Sequence, residues 1–188
     1  MGNVKEIKTE VVEMSQENRN LNALINKISF ELVNNKILEE NQINKMLGVL
    51  SNDGVYAWWV YSKKELDWRF TREAEKFKEN DLIQLLLVLE KFHFLFGKIG
   101  KIIEDKIDII CKKQEEIDEL RNEIKNLDDK EEKKKKNNKI RELNSEQNDL
   151  LNSFFHQLSE DLPSLLFFRE ILEKILIYAR YHAKALGD

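Results

Sequence analysis

The chain has 188 residues, 41% of them hydrophobic and 35% charged, with one proline, six glycines and one cysteine. That length fits one ordinary domain, with or without an extension, and is enough to bury a real core. The single Cys111 excludes an internal disulfide framework, and a formal net charge of -4, from 31 basic and 35 acidic residues, does not announce a strongly basic nucleic-acid binder.

No apolar stretch approaches the roughly 20 residues of a membrane span, and no charged-then-apolar leader opens the sequence, so a cytoplasmic protein without membrane association is expected. Runs of Val, Thr and Tyr bounded by tight turns are nearly missing, and the fold class expected is all-α: a helical bundle with a projecting antiparallel coiled-coil hairpin.

Residues 1–14 are polar with little periodicity and read as a loosely held arm; residues 15–188 read as a single helical-bundle domain. A first helix is predicted from about Ser15 to Leu38, with Leu21, Leu24, Ile25, Ile28, Leu32 and Val33 forming one apolar stripe. Ile43, Met46, Leu47 and Leu50 carry a shorter second helix that ends at Ser51-Asn52-Asp53-Gly54, whose side chains also suit the start of a third. In that third helix Val55, Trp58 and Trp59 fall at i, i+3 and i+4, while Tyr56 and Val60 share an adjoining face. Apolar groups then wrap most of the helix, which favours a buried core element over an aromatic platform for a ligand.

After a charged segment with Leu66, Trp68, Phe70 and Phe77, Asn80-Asp81 opens a helix that no proline interrupts from Leu82 to about Leu127, with Gly97 and Gly100 as a bend or a close contact. Ile117, Leu120, Ile124 and Leu127, then Ile140, Leu143, Gln147, Leu150 and Phe154, are spaced as coiled-coil seams. Between them Asp128 to Lys139 holds no apolar side chain, so a hairpin over about 112–158 is expected, with Leu127 facing the region of Ile140, Ile117 the region of Leu150, and the lysine run at a flexible tip. A last helix runs from near Pro163 to Gly187. Its inner face is Leu165, Phe168, Leu172, Ile175, Leu176 and Ala179.

Chemistry leaves few candidates. Cys111, His93, His156 and His182 stand singly, with no C-x-x-C or H-E-x-x-H pair, so no metal site is expected; the glycine signatures of nucleotide binding are missing too, and no cofactor is implied. Helical ribonucleases of the HEPN type place an Arg about five residues before a His on one helix. Here Ile177, Leu151 and Val88 occupy those positions, so the motif fails at all three histidines. The acids Glu115, Glu116, Asp118 and Glu119 read as a solvated helix surface, and no enzyme is expected. Basic groups remain: Lys63, Lys64, Arg69 and Arg72 just after the aromatic helix, and Arg180 and Lys184 on the last helix. Phosphate contacts need well-placed cations rather than a net positive chain.

The order of these pieces, with Asn52-Asp53-Gly54, an aromatic helix closing in Ser62-Lys63-Lys64, and a final helix reading LIYARYHAKAL, resembles the small all-helical subunit of the Cmr effector complex, the type III CRISPR-Cas RNA-targeting machine. The likeness covers residues 27–111 and 160–186, with 112–158 as an insertion. It implies a non-catalytic subunit that stacks with copies of itself beside other effector subunits and follows guide RNA and target RNA. Lys63, Lys64, Arg180 and Lys184 would then face RNA by position, joined from the residue reading by Arg69 and Arg72; Trp58 and Trp59 would be core or subunit contacts. The competing expectation is a coiled-coil interaction module without RNA, docking a partner through Ile117, Leu120, Ile124 and Leu150.

Overall fold

A computed structural model of the chain describes residues 21–96 and 99–187, and among them every regular element is a helix. The predicted arm over 1–14, the start of the first helix near Ser15, and Gly97 lie outside the described residues. Helix α1 occupies 21–34 and ends four residues earlier than predicted, where Lys36 takes a positive φ of 56° and turns the chain so that Ile37 and Leu38 are buried beneath it.

Helix α2, Glu40–Glu65, absorbs both the second and the third predicted helices. Ser51-Asn52-Asp53-Gly54 is the boundary expected between them: two helical stretches meet there across a kink. Gly54 sits at φ 84° and ψ -173°, outside helical geometry, and no side-chain cap forms there; the carbonyl of Ser51 instead accepts Arg169 Nη2 at 2.9 Å. Only one face of the aromatic half is buried: Val55, Trp58 and Trp59 are covered, whereas Tyr56 and Val60 are about half exposed.

The long central helix does not exist as predicted. Helix α3, Ala74–Lys78, leads to α4, Asp81–Leu89, which tightens into a 3₁₀ segment, Glu90–Phe96; after Gly100 a second 3₁₀ turn, Glu104–Lys106, opens α5, Ile107–Lys125. What holds the crossover is Glu90, only 6% exposed. Its carboxylate accepts the backbone N–H groups of Ile102 at 2.9 Å, Ile103 at 2.7 Å and Glu104 at 3.3 Å, so this loop is closed by a side chain rather than by continued helix.

Helix α6, Lys130–Glu160, runs antiparallel to α5, and α7, Leu162–Leu186, returns along α2, with Pro163 in its first turn and Gly187 left-handed at φ 82° at its end. The α5–α6 register is fixed by Gln147 Nε2 donating to Ile110 O at 3.0 Å and by the ion pairs Lys113–Glu146 (2.5 Å) and Lys136–Glu123 (2.8 Å). Ile117 therefore faces the neighbourhood of Leu143, not Leu150, a shift of about two turns from expectation. The cause is the connection. It spans only 126–129, with Asp129 Oδ1 capping the amides of Glu131 and Glu132, so Lys133 to Lys136 lie within α6 and not in a flexible tip.

Nor is 112–158 separable from the bundle. Leu151, Phe154, Phe155 and Leu158 belong to the main core, where Phe155 stacks on Trp59 with ring centroids 4.4 Å apart. Ile117 and Leu143, also buried, stand outside that cluster and close the outer part of the pair.

Candidate nucleic-acid interface

The predicted cations do not form one surface. Lys63, at the end of α2, is drawn inward: its Nζ donates to Asn152 Oδ1 at 2.8 Å and lies 5.1 Å from the centre of the Trp59 indole. Partial burial holds its pKa below the ordinary lysine value. The same Asn152 oxygen accepts Trp59 Nε1 at 2.8 Å. Lys63 is thus half-buried and already engaged within this chain, unlike the freely exposed cation expected there.

Lys64, Arg69 and Arg72 are exposed along the corner between α2 and α3. Side-chain contacts tie the corner together. Trp68 Nε1 donates to Lys63 O at 2.8 Å, Phe70 stacks on Phe77, and Asn80 Oδ1 accepts the backbone N–H of Arg69 at 3.0 Å while its amide donates to Phe77 O at 2.7 Å. Two local acids are already engaged: Glu65 by Lys45 and Tyr61, whose hydrogen bonds hold its carboxyl below the usual range, and Glu73 by Lys76. Asp67 stays exposed, and beside it the carboxyl of Asp81 is pushed up, first by burial and then by the charges of Asp67 and Glu39. The corner carries mixed charge with fixed geometry.

Arg180 and Lys184 belong to a different region. Lys184 is exposed, Arg180 is half-buried with its guanidinium 5.8 Å from the Tyr181 ring, and their neighbour His182 meets Asn26 and Phe30 of α1. Lys63, by contrast, meets α6. The sequence grouped these cations by helix ends; the packing separates them.

The residues expected to contact a partner are divided likewise. Trp58, Trp59 and Ile117 are fully buried within this chain, so they serve its own core and not a partner. Leu120, Ile124 and Leu150 are half-buried. Among the described residues Trp58 Nε1, Arg169 Nε and Arg180 Nε are buried without a hydrogen-bond partner.

Cys111, His93 and His156 make packing contacts. Cys111 is buried, and that burial raises its thiol pKa. His93 Nδ1 lies 3.0 Å from Glu90 O, and His156 packs on Tyr56. Among the described residues no three His, Cys, Asp or Glu side chains group as a metal site, and no helix is long and apolar enough to cross a membrane. Asn80 does precede α4 as expected, but its side chain ties Arg69 and Phe77 and makes no cap hydrogen bond to that helix; Asn152 escaped sequence reading because a polar residue at an exposed-looking helical position carries no periodic signal. Comparison of the chain with protein families, with curated proteins and with solved structures gives no match.

Proposed function

We propose that the chain is a non-catalytic helical subunit of a type III CRISPR-Cas ribonucleoprotein, stacked with copies of itself along the complex and touching guide–target RNA through exposed cations. The observation that carries this reading is the α2–α3 corner, where Trp68, Phe70 and Asn80 hold the backbone still while Lys64, Arg69 and Arg72 reach solvent. Preordered cations bind phosphates with less loss of side-chain and loop freedom than mobile ones. The resemblance of the Ser62-Lys63-Lys64 and LIYARYHAKAL segments supplies the identity of the assembly. Lys63 and Arg180, being partly buried, are left out of the RNA-facing set, and Lys184 lies in a separate region.

The test is affinity purification of the tagged protein from its own cells, with mass spectrometry of partners and sequencing of bound RNA. Repeat-derived guide RNA together with effector subunits is the expected result. Protein partners without RNA would overturn it in favour of the second reading, an interaction module docking a helix along the arm of α5 and α6, which the half-buried Leu120, Ile124 and Leu150 favour.

A further inference from the structure

The arm of α5 and α6 holds more acids than bases, yet α6 sorts its charges by face. At 3.6 residues per turn, Lys133, Lys130, Arg141 and Lys134 fall within a sector of about 100° that holds no acid, and Glu131, Glu142, Glu146 and Asp149 fall in another beginning about 60° further round, together with Lys135 and Lys139. Nothing in the run DDKEEKKKK announces this, because the helix had to continue through the lysines for the sorting to exist.

The basic sector borders two adjoining shallow grooves that share Asn137 and Ile140, with Arg72 from the corner before α3 at the far wall. Asp118 is the one acid lining them, and its Oδ1 is taken by Gln114 Nε2 at 2.9 Å and Arg121 Nη1 at 3.4 Å. Lys136 and Lys139 pair with Glu123 and Glu142. Among the described residues the side chains of Lys130, Lys133, Lys134 and Arg141 have no ion pair. Like charges three and four apart on one helix repel, and a bound polyanion relieves that repulsion.

We propose that this face of the arm is a binding site for the phosphate backbone of RNA, with Lys130, Lys133, Lys134, Arg141 and Arg72 as the contacting cations. From Lys130 to Arg141 the helix rises about 16 Å, long enough to run past several phosphates of one strand. Asn137 and Asn138 supply neutral donors between the cations. The contacts are to backbone, so binding is sequence-independent and falls steeply with salt. The site does not depend on which assembly the chain joins.

The test is fluorescence anisotropy of a labelled RNA hairpin with the full chain, between about 50 and 200 mM salt. Lys134→Glu/Arg141→Glu is compared with Lys135→Glu/Lys139→Glu, which changes net charge equally on the acidic side, and far-UV circular dichroism checks that both stay helical. The first pair should weaken binding about tenfold or more at the lowest salt and make the salt slope shallower by about one per cation removed; the second should stay near the wild type. The milder Lys134→Gln/Arg141→Gln, with an intermediate loss expected, serves if charge reversal unfolds the arm. Equal weakening by the two reversed pairs, no binding by the wild type, or binding to anionic phosphatidylserine vesicles but not to RNA would overturn the proposal.

Discussion

Asn152 on α6 takes the indole N–H of Trp59 on α2 at 2.8 Å, and with the same oxygen the ammonium of Lys63. One carboxamide thus satisfies the polar edge of a fully buried aromatic and holds the cation that lies over the ring. Asn152→Ala leaves the indole donor without its partner in the core and should cost about 1–3 kcal/mol. Urea unfolding monitored by tryptophan fluorescence measures it; a change below experimental error would show that water replaces the carboxamide.

The state of Lys63 has a pH signature. Desolvation lowers its folded pKa, so between that value and the unfolded value of about 10.5 the unfolded chain binds more protons and stability rises with pH. Wild-type stability relative to Lys63→Met should therefore rise as pH climbs through this window and be lowest below it. Paired urea titrations at neutral and alkaline pH read the difference, and a gap that stays constant removes the desolvation argument.

Gly54 stands at φ 84° and ψ -173°, a region open essentially to glycine alone, although a Cβ there would meet nothing within 4 Å. Gly54→Ala should cost about 1–3 kcal/mol through backbone conformation and not through collision. If thermal unfolding instead shows a stabilised variant, α2 has straightened, and Arg169 should then lose its contact with Ser51.

For the crossover, Glu90→Gln keeps the shape but leaves one acceptor oxygen for the three amides of Ile102, Ile103 and Glu104. Loss of a charged hydrogen-bond acceptor predicts a destabilisation of about 1.5–3 kcal/mol. Amide exchange at residues 102 and 103 should accelerate more than exchange in α2. Unchanged protection at those two amides would refute the clamp.

Deleting 112–158 should abolish cooperative unfolding, since Leu151, Phe154, Phe155 and Leu158 leave the core with it. Replacing only residues 119–141 by a short glycine-serine linker should keep it, because that segment contributes nothing to the main core cluster. Calorimetry on the two shortened chains separates the outcomes, and a cooperative transition in the first would restore the insertion reading.

Much of the architecture was legible in sequence. The stripe from Leu21 to Val33, the Pro163-to-Gly187 limits of the last helix, and its inner face with Phe168, Leu172, Ile175 and Leu176 follow from apolar periodicity and terminal residues, and the structure has them. The break after Leu89 was not legible. Its apolar residues continue a helical pattern, and it is a tertiary contact, the Glu90 carboxylate on amides a dozen residues on, that favours the turn. The α5–α6 register was misjudged for a related reason: Asp128 to Lys139 is polar throughout, and polarity alone does not distinguish a loop from a solvated helix. Among candidate site residues, Lys64, Arg69 and Arg72 are exposed, whereas Lys63 is held by Asn152, 89 positions away, a contact that no local pattern announces.

Cys111 gives the molecule an internal clock. The thiol is buried near the start of α5, with its pKa raised, and it is the one cysteine in the sequence. A thiol reagent can modify it only in molecules where that helix has opened, so the modification rate reports the opening equilibrium of the root of the arm, without any substitution in the chain. Addition of RNA that grips the basic face should slow this clock, which turns an unremarkable core side chain into a readout of events at the surface.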